Sequence, residues 1–117
     1  MTRWLVDASN VIGSKPDGWW RDREGANARL IDALRAWDED AVVVLDAGPA
    51  EWAGPDVVIA RRRGRDAADD EIVRLVEADE DPASLRVVTS DAELAARVRA
   101  LGAAVEGAGA FRRRLGI

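Results

Sequence analysis

A chain of 117 residues, 48% apolar and 33% charged, has the make-up of one globular domain covering 1–117. It holds no cysteine and no histidine, which excludes disulfides, thiol nucleophiles, Ser–His–Asp hydrolysis and nitrogen- or sulfur-based zinc sites. The net charge of −5 argues against indiscriminate coating of nucleic acid.

Taken in chain order, Arg3 to Val6 (RWLV) reads as a short buried strand ending at Asp7. Ser14 to Asp22 (SKPDGWWRD) is a loop, marked by Pro16 and the Asp17–Gly18 pair. Gly25 to Trp37 has helical spacing, with Leu30, Ala33, Leu34 and Trp37 three and four residues apart. Ala41 to Leu45 (AVVVL) is a continuous apolar run that suits a strand covered on both faces, and it ends in Asp46. A Gly/Pro loop over 48–55 leads to a third strand, Val57 to Ala60, and then to an arginine cluster, RRRGR. Ala67 to Ala78 is a helix with Ile72, Leu75 and Val76 on one face. Arg86 to Thr89 is a fourth strand ending in Ser90–Asp91, either of which can cap a helix running to about Leu101. Ala103 to Val105 is a short fifth strand, and Gly109 to Leu115 a last helical turn or two.

Alternating strands and helices predict a three-layer α/β domain with a mostly parallel sheet of about five strands. Ligands of such sheets bind beyond the carboxyl ends of the strands. Asp7, Asp46 and Asp91 each follow a different strand, and Asp69–Asp70–Glu71 open the helix after the third. A lone Asp after a strand is usually a cap or a turn residue. Several together repel one another and raise each other's pKa, a cost that a cation relieves. With oxygen ligands only, that cation would be a hard one, Mg²⁺ or Mn²⁺, able to seat a water and a phosphate. Asn10 is a neutral partner able to orient a carboxylate, a water or a phosphate, and equally able to make a local turn bond.

These residues resemble a known family. Leu5-Val-Asp-Ala-Ser-Asn-Val-Ile-Gly13 is similar to the opening motif of the NYN domain, within the PIN-like nuclease superfamily. Val44-Leu-Asp-Ala47, Ala68-Asp-Asp-Glu-Ile72 and Val88-Thr-Ser-Asp91 resemble its further motifs in order, and Gly107-Ala-Gly-Ala-Phe111 resembles the end of the YacP-like branch. The resemblance implies a metal-dependent (endo)ribonuclease acting on RNA phosphodiesters, with the endo- or exonucleolytic mode left open. Asp7, Asp69 and Asp91 match the metal-binding acids, with Asp70 beside them, Asp46 as ligand or loop support, and Asn10 as the family's Asn. Ala8 stands where the family has Gly; both are small.

Elsewhere, Arg61, Arg62, Arg63 and Arg65 form a candidate RNA phosphate clamp, with a solvated loop as the even alternative. Arg112 to Arg114 are expected on the outer face of the last helix. Trp20, beside Trp19, is a candidate base-stacking residue, and Ser90 a further candidate RNA contact; a loop folded over the first helix, or a dimer contact, explains the tryptophans slightly better. Trp4 and Trp37 are expected in the core. No apolar run approaches the ~20 residues of a membrane span, and no secretory leader pattern opens the chain, so a cytoplasmic location is expected. A homodimer, an antitoxin partner or ribosome association stays open. A non-catalytic RNA-binding or regulatory module of the same fold is the alternative. A phosphoacceptor receiver-like domain fits less well, because the only lysine is Lys15 and the first strand ends in a single acid.

Overall fold

The computed structural model describes residues 1–64 and 66–117. Five strands, β1 (Arg3–Asp7), β2 (Asp40–Leu45), β3 (Val57–Ile59), β4 (Leu85–Val88) and β5 (Ala104–Glu106), form one sheet in the order β3-β2-β1-β4-β5. Every pairing is parallel, and Asp7 lies opposite Val44 in the register of β1 and β2. The helices are α1 (Ala8–Ile12), α2 (Arg23–Ala36), α3 (Ala67–Ala78), α4 (Ala92–Ala100) and α5 (Ala108–Leu115). None is long and apolar enough to cross a membrane.

Both faces of the sheet are covered, which explains why its central strands read as unbroken apolar runs. Side chains alternate along each strand. Trp4, Val6, Val43 and Leu45 face a core with Val11, Leu30, Leu34 and Phe111 of α1, α2 and α5. Leu5, Val44 and Val87 face a second core with Ile72, Val76, Leu94 and Val98 of α3 and α4. Trp4, Trp37 and Phe111 pack with ring centroids 5.3–5.5 Å apart, which puts Trp4 in the core and Trp37 half-buried against it.

Element boundaries fall within one or two residues of the sequence reading, with one α-helix added and short 3-10 turns at Trp19–Arg21, Ala50–Trp52 and Pro82–Ser84 within the loops. Helix α1 directly follows Asp7. Its buried residues, Ala8, Val11 and Ile12, have helical spacing, but five residues are too few for a period to show. Helix α2 begins two residues early because the Asp22 carboxylate accepts a hydrogen bond from the Gly25 backbone N–H at 2.9 Å. Ala8 sits in α1, and no non-glycine residue among those described has a positive φ, so the change from Gly strains nothing.

One expectation is corrected. Arg112 does not lie on the outer face of α5. Its side chain is 13% exposed, and Nη1 donates to the Val11 carbonyl at 3.0 Å. The end of α1 presents carbonyls with no helical partner, and α5 packs against that end, so a guanidinium there is drawn inward. Arg114 is also engaged: it pairs with Glu106 at 2.7 Å and lies over the Trp4 ring. Arg113 is exposed, as expected.

Candidate active site at the carboxyl edge of the sheet

The sheet order reverses beside β1, with β2 and β3 on one side and β4 and β5 on the other. In doubly wound sheets the ligand crevice opens at such a reversal, beyond the carboxyl ends of the two diverging strands. Here those strands are β1 and β4. Asp7 is the last residue of β1, and Asp91 is the N-cap of α4, just after β4. Asp69 lies in the first turn of α3, the helix that carries the chain from β3 to β4.

Asp7 is 1% exposed. It occupies the N-cap position of α1, yet its side chain makes no capping bond. Its Oδ2 accepts instead from Asn10 Nδ2 and Thr89 Oγ1, both at 3.1 Å, and its Oδ1 accepts from Ser9 Oγ at 3.3 Å. Burial pushes the Asp7 carboxyl above its ordinary pKa, and these hydrogen bonds pull part of the way back. The network then crosses to β4. The Ser90 N–H donates to Asn10 Oδ1 at 2.9 Å, and the Asp91 N–H donates to Thr89 Oγ1 at 3.1 Å. Asp91 Oδ1 caps α4 by accepting from the Leu94 N–H at 2.9 Å. Ser90 is exposed, and its Oγ accepts from the Ala108 N–H, tying in α5.

Asp69 is in the opposite electrostatic state to a helix-capping acid. A helix N-terminus favours negative charge, yet the Asp69 carboxyl is raised to about 6. Burial is the main cause, followed by the negative charges of Asp7, Asp91 and Asp66; Arg97 pulls the other way. The two remaining acids have cationic partners. Asp70 pairs with Arg62 at 3.2 Å and Arg97 at 3.4 Å, and Asp46 pairs with Arg23 at 3.3 Å. The five acids thus divide into Asp7, Asp69 and Asp91, which share one electrostatic environment, and Asp46 and Asp70, which face arginines.

The donor chemistry of that first group suits a hard cation: carboxylate oxygens alone, with the charge of Asp7 and Asp91 on Asp69 only partly offset by Arg97. Among the described residues, no group of three or more acidic side chains is drawn together closely enough to hold a metal ion as it stands.

Around this edge, Arg61, Arg62 and Arg63 are exposed. Arg65 lies outside the described residues. Trp20 is 54% exposed and meets half-buried Trp19 edge-on at 5.9 Å. Arg21 lies over the Trp20 ring and Arg23 over Trp19. Three residues carry parts that the sequence reading did not assign. Thr89, inside the Val88–Asp91 motif, links Asp7 to Asp91. Ser9 holds the far oxygen of Asp7. Asn27 is 6% exposed on the apolar face of α2; the legible signal was a polar residue three, four and seven places before Leu30, Ile31 and Leu34.

No family model matches the chain, and no curated protein sequence matches it. Solved structures do. The fold is that of the YacP-like NYN, PIN-like proteins, a nuclease-type architecture. A crystal structure of Rae1 (YacP) from Bacillus subtilis, in a single-substitution variant, matches with a TM-score of 0.79 and 26% identity over 99% of this chain and 76% of that one. A second crystal structure of Rae1 (YacP) from Bacillus subtilis matches with a TM-score of 0.74 and 25% identity over 99% of this chain and 74% of that one.

Proposed function

We propose that this chain is a divalent-metal-dependent ribonuclease, acting as an endoribonuclease, with Asp7, Asp69 and Asp91 holding Mg²⁺ or Mn²⁺. The observation that carries the reading is the convergence of these three acids at the β1/β4 switch point of a nuclease-type fold. Two of them are joined through Thr89, and the third is raised by the charge of both. A cation bound there supplies a water of lowered pKa and neutralises charge on the phosphate, chemistry that a chain without histidine needs from outside its side chains.

The side chains have distinct parts. Thr89, Ser9 and Asn10 fix the Asp7 carboxylate in one orientation and offset part of the upward push of burial on its pKa. Asn10 also sets the spacing between the two strand ends, through Ser90. In the reaction, water adds to phosphorus in line with the leaving nucleoside oxygen, the P–O bond to that oxygen breaks, and the oxygen leaves with a proton. Arg61, Arg62, Arg63 and Arg65 hold the RNA backbone by phosphate contacts. Trp20 offers a face for an unpaired base, and Ser90, at the rim, a hydroxyl. Asp46 and Asp70 act in support, holding arginines at the edge of the site.

The alternative is a non-catalytic RNA-binding module of the same fold. It is favoured by the absence, among the described residues, of three acids already gathered to coordinate. One experiment separates the two: incubation of labelled single-stranded and structured RNA with Mn²⁺, beside EDTA and Asp91→Asn. Asn also caps helices, so the variant keeps α4 intact. The nuclease reading expects cleavage that both controls abolish. RNA binding without cleavage supports the module.

A further inference from the structure

Next to the acidic edge lies a groove of about 270 Å³, lined by Arg23, Glu24, Asn27, Asp46, Gly48 and Trp52. Register places it beside the catalytic strand end. Asp46 stands two residues beyond Val44, the residue opposite Asp7. At strand spacings of about 4.8 Å across and 3.3 Å along, its backbone is roughly 8 Å from that of Asp7.

Three observations give the groove a chemistry. The first is Asn27, 6% exposed, whose Oδ1 is fully buried and has no hydrogen-bond partner among the described residues. Buried polar atoms in folded proteins nearly always have partners, and an exception points to a missing one. The second is that the other polar groups here are also mainly acceptors. Asp46 is engaged by Arg23 through Oδ2 alone, and Glu24 is a carboxylate. The third is an aromatic wall. A side chain at Gly48 would meet Trp52 Cε3 at 3.8 Å and Leu45 Cδ1 at 3.2 Å, so glycine leaves that edge of Trp52 uncovered. An acceptor-lined groove with one aromatic wall and one arginine at its mouth matches a flat ring whose edge donates hydrogen bonds and which carries a phosphate.

We propose that this groove is a nucleobase subsite for a nucleotide flanking the scissile phosphate, and that it prefers guanine. Guanine alone of the four RNA bases presents two adjacent donors, N1–H and N2–H₂, on one edge, a pair matched to a carboxylate. Asp46 accepts from that edge, and the Asn27 amide, turned about its Cβ–Cγ bond so that the orphaned Oδ1 reaches the groove, accepts from the remaining amino hydrogen. Trp52 packs against the ring, and Arg23 turns from Asp46 toward the phosphate. Adenine, cytosine and uracil each offer an acceptor at one of the same positions, opposite an oxygen. The subsite rests on the reading of this edge as an RNA site, but it does not need the cleavage step.

The test uses the metal-free protein in EDTA, so that binding is read apart from catalysis. Amide and indole N–H signals are followed by NMR during titration with guanosine, adenosine, cytidine and uridine 5′-monophosphates. The expected result is saturable shifts at Gly48, the Asn27 side-chain amide and the Trp52 indole. Guanosine monophosphate should bind about tenfold tighter than the others, the discrimination of one bidentate base contact. Asn27→Leu should lower that preference about fivefold while leaving thermal stability unchanged or higher, because the orphaned acceptor is gone. Gly48→Ala, which covers the Trp52 edge without touching an acceptor, should weaken all four nucleotides. Equal affinities would overturn the guanine preference, and no shift at these three signals would overturn the subsite. RNA cleavage in Mn²⁺ with no nucleotide shift would leave the nuclease standing without the subsite. Nucleotide shifts without cleavage would do the reverse.

Discussion

Helix α3 carries an aspartate at each end, and each is in the state its end of the helix should disfavour. Asp69, in the first turn, sits where the helix dipole stabilises a carboxylate, yet its pKa is raised to about 6. Asp79, just past the last turn, sits where the dipole opposes a carboxylate, yet its pKa is lowered to about 2. Local partners decide both. Arg3 donates to both oxygens of Asp79, at 2.7 and 2.8 Å, and the Asp81 N–H adds a third bond. Asp69 is partly buried and faces Asp7 and Asp91. One edge of the sheet is neutralised by its own residues; the other retains negative charge that no described side chain fully offsets. The first pattern stabilises a fold, whereas the second is tolerated where something external supplies the countercharge.

The contrast can be broken from either end. The largest effect is expected from Asp91→Asn. If the three acids hold the metal as proposed, losing one of them removes several kcal/mol of transition-state stabilisation, about a hundred- to thousandfold in cleavage rate, with melting temperature unchanged. Next is Thr89→Val. It strips a hydrogen bond from Asp7 and leaves the Asp91 N–H unpaired, which costs about 1–3 kcal/mol in urea unfolding. Loss of an orienting partner also weakens Mn²⁺ binding about tenfold or more. Thr89→Ser should restore most of both.

Asp69→Asn should change stability with the opposite sign. A carboxyl whose pKa is higher in the fold than the ordinary 3.8 contributes stability that is full below pH 3.8 and lost as pH rises through about 6. At pH 7 the variant should therefore be the more stable by about 1 kcal/mol, allowing for solvent screening of a partly exposed group. At pH 3.5 the two proteins should unfold at the same urea concentration. A variant less stable than wild type at pH 7 would remove the case for uncompensated charge. The smallest effect belongs to Arg3→Met, at the neutralised edge. The lowered pKa of Asp79 gives stability present above about pH 3.8 and lost as pH falls through about 2. Without Arg3 that stability is missing from the outset: the variant should be less stable above about pH 3.8, should lose less between there and about pH 2, and, starting lower, should show an earlier acid-unfolding limb by circular dichroism.

The framework was legible where periodicity had length to work with. The run AVVVL and the spacing of Ile72, Leu75 and Val76 predicted β2 and α3 because each reflects burial that repeats over several residues. Helix α1 was not legible, since its five residues span barely more than one turn. At the site, strand ends placed Asp7, Asp46 and Asp91 on one edge, because a parallel sheet directs every strand the same way. Sequence did not show which acids face arginines. Asp46 meets Arg23 across 23 residues and Asp70 meets Arg97 across 27, and pairings at that range depend on how elements pack. Thr89 was hidden for a related reason: its importance lies in joining two carboxyl-bearing strand ends 82 residues apart in the chain. Arg112 looked like a solvated charge because an arginine run carries no sign of the carbonyl end it meets.

On the function proposed above, Asp7, Asp69 and Asp91 form an edge whose missing countercharge is a divalent cation. Calorimetric titration with Mn²⁺ at pH 6, in two buffers of different ionisation heat, tests it most directly. At that pH Asp69 is about half protonated, so binding should release protons to the buffer. Saturable binding with proton release is expected in the wild type, and weaker binding with little release in Asp69→Asn. No binding at millimolar Mn²⁺, or equal affinity in the two proteins, would contradict it.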